Sequence, residues 1–231
     1  MSRIERAMIM KYYIRQDDVE YLKRRAEDER KTSIIEKFTD KVYRKHLYGI
    51  RRVTDTQLQK QGVDLIHNED GKIHYIDEKF ALKYFDKHLN SFSFELYSEN
   101  NKGNEGWFIS DHMITTDYCI LWFTSDYTFK NIRSYDLCFI PKNKILEFAR
   151  KSGYYGGIVQ DFLDYWEYDQ YHKHDPRFYS IGSGENERRG MKLKNGCKLV
   201  QSMHFKERPI NIIIPRDELY KLATYHWSNR D

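Results

Sequence analysis

The stretch VDLIHNEDGKIHYIDEKFA, residues 63–81, decides the fold of the region around it. Two runs rich in β-forming residues, 63–67 and 72–81, flank the polar letters NEDG. Asp-Gly between two such runs is typical of a tight β-hairpin, because both central positions of its turn need positive φ angles. The stretch therefore predicts two antiparallel strands that turn at Asp70 and Gly71.

The length of this turn decides which side chains meet across the hairpin. A two-residue loop places Asp64 directly opposite Asp77, whereas a four-residue loop places Asp64 opposite Tyr75, with Asp77 on the diagonal. Either loop puts both carboxylates on one face together with Lys79, since alternate residues of a strand share a face. A three-residue loop would separate them.

Two neighbouring carboxylates and a lysine form a candidate metal site. Carboxylates about 5 Å apart repel by roughly 3 kcal/mol at an effective dielectric near 20, so we expect a cation or a proton between them. Mg²⁺, with Mn²⁺ as a substitute, suits oxygen ligands that leave positions open for water or phosphate oxygens. Such a metal activates water for phosphodiester hydrolysis, and Lys79 would orient that water or contact the phosphate.

This arrangement resembles the active-site signature of the PD-(D/E)xK nuclease superfamily, which has the restriction-endonuclease-like fold. The resemblance rests on QKQGVD at residues 59–64, DEK at residues 77–79 and FSFEL at residues 92–96, and it is strongest to small phage and bacterial members. It covers about residues 32–140, a little under half of the chain.

The resemblance implies a role for each matching residue. Asp64 and Asp77 would bind the metal, and Lys79 would serve the attacking water. Glu36, on the helix before the hairpin, would add a ligand. Gln59 would contact metal-bound water or substrate.

Two positions depart from the pattern of the superfamily. Val63 stands where a proline often precedes the first aspartate, and Glu78 stands where an apolar residue usually faces the core. Either that face of the strand is partly open, or Glu78 joins the metal ligands in place of Asp77. We keep Asp77 as the expected ligand and Glu78 as its competitor.

Some of these residues also have simpler interpretations. Glu36 fits a helix-capping box after Ser33. Acid-x-Lys triplets also occur at residues 29–31 and 70–72, so the triplet alone carries little weight. Glu95 is expected to be an outward strand carboxylate.

Other patterns predict further elements around the hairpin. Helical spacing of apolar residues over 17–48 predicts one or two helices, and LKYFDKHL, residues 82–89, predicts another. Pro141 and Pro215 each end an apolar run before a helical pattern, as expected at the start of a helix. A second hairpin is predicted at Asn195 and Gly196.

These patterns and the resemblance predict one α/β domain over residues 1–231. We expect a restriction-endonuclease-like core with a central mixed β-sheet flanked by helices, over about residues 32–150. C-terminal elaborations would occupy about residues 151–231.

Composition and charge limit the function classes. Hydrophobic residues make up 40% and aromatic residues 16% of the 231 positions, which is typical of a globular protein. A net charge of +4 is small for a protein whose main role is to coat nucleic acid. The basic stretches 41–52 and 188–198 are the candidates for backbone contacts, and the aromatic run 154–179 predicts packing, with base stacking as the alternative.

The cysteines and the hydropathy pattern favour the cytoplasm. The sequence has three cysteines, Cys119, Cys138 and Cys197, and no C-x-x-C pair. This pattern indicates free thiols. No run approaches the roughly 18 to 20 apolar residues that span a bilayer, and residues 1–18 lack a signal-peptide pattern, so we expect no membrane partner. The pair His172 and His174 is expected at the surface, with structural zinc as the alternative.

The sequence thus predicts a Mg²⁺-dependent endonuclease that hydrolyses DNA through a metal-activated water. RNA is the alternative substrate, and a catalytically inactive nucleic-acid- or protein-binding module that retains the fold is the alternative function. The sequence leaves the oligomeric state open, and the resemblance adds a homodimer as one option, since cutting both strands often brings two subunits together in this superfamily.

Overall fold

Two β-sheets pack face to face, and a long helix covers the outer face of the first. The computed structural model describes residues 16–87, 89–98, 105–169, 175–183, 187–203, 205 and 207–229. In chain order the elements are α1 (Gln16–His46), β1 (Ile50–Arg52), α2 (Thr56–Lys60), β2 (Leu65–Glu69), β3 (Lys72–Phe80), a 3₁₀ turn (Leu82–Tyr84), β4 (Ser91–Tyr97), β5 (Asp117–Ser125), β6 (Ile132–Pro141), α3 (Lys142–Lys151), α4 (Ile158–Asp164), a π-helical turn (Tyr165–Asp169), β7 (Phe178–Ile181), β8 (Arg188–Lys192), β9 (Lys198–Ser202), β10 (Ile210–Pro215), α5 (Arg216–Leu222) and β11 (Tyr225–Ser228).

The first sheet is mixed and contains the hairpin. Its strand order is β1-β2-β3-β5-β6-β11, and β3 and β5 run parallel while the other neighbours are antiparallel. The second sheet is antiparallel, in the order β4-β10-β9-β8-β7. The predicted α/β class with a central mixed sheet is therefore confirmed.

Each face of the central sheet has its own apolar cluster. Helix α1 covers one face and contributes Ile35, Val42 and Tyr43 to a cluster with Leu65, Ile76, Cys119, Leu121, Phe123, Leu137 and Phe139. The second sheet and α3, α4 and α5 cover the other face, in a cluster that includes Tyr118, Ile120, Trp122, Phe94, Leu96, Ile212 and Leu219. Helices therefore flank one face of the central sheet, but a second sheet covers most of the other.

Several local predictions are confirmed. Strand β4 buries Phe94 and Leu96 and leaves Ser93 exposed, as its alternation predicts. Helices α3 and α5 begin directly after Pro141 and Pro215. Strands β8 and β9 form the second hairpin, with positive φ angles at Asn195 and Gly196.

The region 17–48 contains one continuous helix, Gln16–His46, which is the single-helix alternative of the prediction. The prediction for residues 82–89 needs correction. The stretch 82–89 forms only the short 3₁₀ turn within its described residues. Phe85 accounts for the early end, because its ring packs 5.0 Å from that of Phe129 and its carbonyl accepts the N–H of Ser125. These tertiary contacts replace the helical continuation.

The C-terminal region is integrated with the region before it. Strand β11 extends the central sheet beside β6, and β10 pairs with β4 across more than a hundred residues of sequence. The three cysteines are free, as expected, and all three are buried. None of the helices in the described ranges has the length and apolar character needed to cross a bilayer. Residues 1–15, His172 and His174 lie outside those ranges.

Candidate active site

The turn of the hairpin fixes the register of the candidate site. Glu69 pairs with Lys72 and Leu65 with Ile76, where the regular pairing ends. The backbone N–H of Asp64 donates to the carbonyl of Ile76 at 2.9 Å, so Asp64 lies beside the segment of β3 that carries Asp77. The φ angles of Asp70 and Gly71 are 50° and 82°, which matches a two-residue turn with both central positions left-handed. The two-residue alternative is therefore confirmed.

Asp64 and Asp77 lie close together beside Lys79. The Nζ atom of Lys79 is 2.8 Å from Oδ1 of Asp77, whose side chain is only 8% exposed. One carboxylate oxygen of Asp64 accepts the backbone N–H of Glu78 at 2.8 Å. Burial raises the pKa of Asp77 to about 7; Lys79 opposes this rise and the charge of Asp64 adds to it. A cation between the two carboxylates would relieve this conflict.

The backbone closes tightly around the site at Gly62. This residue has a φ angle of +78°, and a Cβ atom there would lie 2.7 Å from Oγ1 of Thr115 and 3.8 Å from Oδ2 of Asp77. Oγ1 of Thr115 in turn donates a hydrogen bond to the carbonyl of Gly62 at 2.7 Å. Position 62 therefore needs glycine both for its backbone angle and for its closeness to the site.

Three further side chains surround Asp77 and Lys79, and the sequence did not single them out. The ring of Trp107 lies 4.3 Å from Nζ of Lys79, a distance typical of a cation–π contact. Tyr118, in the register position beside Asp77, is fully buried, and its hydroxyl has no hydrogen-bond partner among the described residues. Lys142 is half-buried at the start of α3, and burial lowers its pKa while the charges of Asp77 and Asp111 oppose that change.

The parallel pairing of β3 and β5 is what brings Tyr118 to the site. Its hydroxyl feels both burial and the charge of Asp77, and each raises its pKa. The sequence does not predict that β3 and β5 are neighbours, because β4 lies between them along the chain and belongs to the other sheet. The only available signal was the tyrosine at the start of an apolar run.

The side chain of Glu78 lies on the face of β3 opposite to Asp77, where it contacts residues of α1 and β1. Its side chain is 3% exposed, and it accepts hydrogen bonds from the hydroxyl of Tyr43 and from Nη1 of Arg52. Burial raises the pKa of Glu78 to about 7, whereas Arg52 and Tyr43 lower it. The face expected to be partly open is therefore closed, and Arg52 supplies the counter-charge.

Glu36 belongs to the same ionic cluster as Glu78. Its Oε1 atom lies 3.2 Å from Nη1 of Arg52, and Asp40 accepts from Nη2 of Arg52 at 2.7 Å. Burial raises the pKa of Glu36, Arg52 opposes this, and the charges of Asp40 and Asp64 add to it. The charge of Asp64 therefore affects the pKa of both Glu36 and Asp77. It does so although α1, which carries Glu36, packs on the face of β3 opposite to the side chain of Asp77.

The remaining predicted residues have structural roles in the protein as it stands. Nε2 of Gln59 donates to the carbonyl of Val53 at 3.0 Å, which fixes α2 against the chain that leads from β1. Arg52, at the end of the basic stretch 41–52, is bound by carboxylates. Within the described residues, no group of three or more His, Cys, Asp or Glu side chains is arranged to hold a metal ion.

Comparisons of this chain with protein-family models, with curated proteins and with solved structures give no match.

Proposed function

We propose that this protein is a metal-dependent endonuclease with a restriction-endonuclease-like core, and that it hydrolyses phosphodiester bonds of DNA. The observation that carries the proposal is the proximity of Asp64, Asp77 and Lys79 at this end of the hairpin: Lys79 lies 2.8 Å from Asp77, and Asp64 accepts the N–H of Glu78, the residue after Asp77. Two acids and a lysine are the groups that this chemistry requires. Helix α1 and the parallel strand β5 beside the hairpin are consistent with such a core.

The residues present fit a hard divalent cation such as Mg²⁺ or Mn²⁺. Asp64 and Asp77 would hold it, and a cation of this kind commonly takes one or two carboxylates and keeps several waters. Burial and the charge of Asp64 raise the pKa of Asp77 although Lys79 lowers it, and a divalent cation would offset both effects. The buried hydroxyl of Tyr118, which has no partner among the described residues, could bond to a water or phosphate oxygen at the same place.

Such a cation, when bound, lowers the pKa of a coordinated water and neutralises charge on the phosphate. The side chains of the protein would do the rest. Lys79 would orient the attacking water or bind the phosphate, and the ring of Trp107 restricts where its ammonium group can lie. Lys142 would add a second positive charge near Asp77, to which a phosphodiester is attracted.

Nicking of a supercoiled plasmid in Mg²⁺ tests this proposal. Asp77→Asn and Lys79→Met should each abolish cleavage. The matched control is Asp70→Asn, because Asp70 begins the other acid-x-Lys triplet of the same hairpin and asparagine tolerates its positive φ angle. Cleavage that survives Asp77→Asn, or that is equally lost in Asp70→Asn, would refute the assignment.

A catalytically inactive nucleic-acid-binding module is the second candidate. The ion pair between Lys79 and Asp77 and the absence of a three-ligand group among the described residues favour it. Titration calorimetry with Mn²⁺ distinguishes the two, since the enzyme requires binding that Asp77→Asn removes. No Mn²⁺ binding by the unsubstituted protein, together with tight DNA binding, would favour the inactive module.

A further inference from the structure

A groove of about 590 Å³ begins where β3 leaves the candidate site. We call it the β3-end groove and define it by Phe80, Leu82, Tyr84, Phe92, Arg188 and Lys198, which all line it. Phe80 directly follows Lys79 in the chain, so the groove and the candidate site share one strand. A volume of this size falls in the range of roughly 300 to 1,000 Å³ that is usual for ligand sites.

One rim of the groove is positively charged. Arg188 and Lys198 are exposed, and neither forms an ion pair within the described residues. Two such side chains on one rim favour an anionic ligand. Asp28 of α1 is the acidic residue at the edge of the groove.

Aromatic and apolar side chains form the rest of the groove. The side chain of Tyr84 is 41% exposed, which is high for a large ring in a concave surface. Phe92 is half-buried and held by the ring of Trp122 at 6.0 Å. An exposed ring beside unpaired basic side chains is the combination that binds single-stranded nucleic acid, since every base offers a face for stacking.

We propose that the β3-end groove binds a single-stranded segment of DNA. Its bases would stack on Tyr84 and Phe92, and its phosphates would contact Arg188 and Lys198. The choice of a single strand follows from the rings, because a base that is paired inside a duplex does not offer its face to a side chain. The inference rests on the proposed function for its polymer and extends it to a single-stranded part of that substrate.

Fluorescence anisotropy with a labelled oligonucleotide of about 12 nucleotides tests the groove, a length within the usual site sizes for single strands. The measurement is made in EDTA, so it does not depend on cleavage. Arg188→Gln combined with Lys198→Gln should lower the slope of log affinity against log salt by about 1.4, or roughly 0.7 for each lost phosphate contact. Tyr84→Leu should weaken binding about tenfold and leave that slope unchanged.

Matched controls are available for both changes. Lys151→Gln with Lys221→Gln removes the same charge from exposed lysines that are paired with Glu147 and Glu218, and should leave the slope nearly unchanged. Tyr127→Leu removes an even more exposed tyrosine, at 79%, outside the groove.

Three results would overturn the inference. The groove variants could bind the oligonucleotide as tightly as the unsubstituted protein, or the control variants could lose as much affinity as the groove variants. A blunt duplex could also displace the labelled oligonucleotide as effectively as an unlabelled single strand does. Tighter binding of an RNA strand of the same sequence would also overturn the choice of DNA. If the plasmid is not cleaved but the groove variants still weaken oligonucleotide binding, the proposed nuclease activity is refuted and the binding site stands. If the plasmid is cleaved but the groove variants bind normally, only the proposed binding site is refuted.

Discussion

Replacing Arg52 with methionine should strongly destabilise the fold, although Arg52 lies outside the pair of aspartates. Its guanidinium contacts three carboxylates, and one of them, Glu78, has a side chain that is only 3% exposed. Methionine fills much of the same volume but leaves Glu78 without a cation among the described residues. Breaking a buried ion pair in this way costs about 3 to 5 kcal/mol.

The other contacts of Arg52 add little to this cost. Glu36 and Asp40 are each more than a third exposed, and such pairs contribute about 0 to 1 kcal/mol. Proton uptake limits the main effect, because the pKa of Glu78 is already about 7 with Arg52 present and rises when Arg52 is removed. We therefore expect a loss of about 3 kcal/mol at pH 7, a smaller loss at pH 6 and a larger one at pH 8.

Urea denaturation followed by tryptophan fluorescence measures this loss. A loss of about 3 kcal/mol should lower the midpoint by about 1 M or more. Combining Arg52→Met with Glu78→Gln should restore much of the stability, because both charges are then gone. The matched control is Arg51→Met, which removes an exposed arginine and should stay within about 0.5 kcal/mol of the unsubstituted protein. A change below about 1 kcal/mol for Arg52→Met, or no recovery in the double variant, would refute the reasoning.

Two further predictions concern buried groups of the central sheet. Lowering the pH from about 7 to about 5 without divalent metal should stabilise the protein, because the folded pKa values of Asp77 and Glu78 lie near 7, above their ordinary values of 3.8 and 4.5. The stabilisation is fully present below the ordinary values and is lost as the pH rises through 7. A urea midpoint that falls as the pH is lowered from 7 to 5 would contradict the raised pKa values. Tyr118→Phe should raise the free energy of unfolding by about 1 kcal/mol, since it removes a buried hydroxyl that has no partner among the described residues, and should slow plasmid cleavage. A destabilised Tyr118→Phe protein would show that the hydroxyl has a partner in the folded state.

Local chemistry made parts of this fold predictable from the sequence. Asp70 and Gly71 occupy backbone angles that few other residue pairs accept, so the turn and its register followed from two letters. Pro141 and Pro215 precede helices for a similarly local reason, since proline lacks the N–H that the first turn leaves unpaired. The proximity of Asp64 to the segment of β3 that carries Asp77 follows from that hairpin.

The features that the sequence did not reveal depend on contacts between distant segments. The 3₁₀ turn replaced an expected helix because Phe85 packs on Phe129, more than forty residues later. Glu78 has the local pattern of an exposed or metal-binding acid, and its burial makes sense only once Arg52 of β1 is placed beside it. Tyr118 reaches the candidate site through a parallel strand pairing that no short-range signal encodes.

The pairing of β4 with β10 has a consequence for how the chain matures during synthesis. Strand β4 has no neighbouring strand in its sheet until residues 210–215 have been made, so the apolar cluster around Phe94 and Leu96 lacks Ile210, Ile212 and Ile214 until then. Because chains emerge from the ribosome in order, the second sheet remains incomplete through most of translation. A ribosome-bound fragment that stops near residue 150 would therefore expose to chaperones the apolar surface that β10 later covers, and the second sheet would be completed only near the end of synthesis.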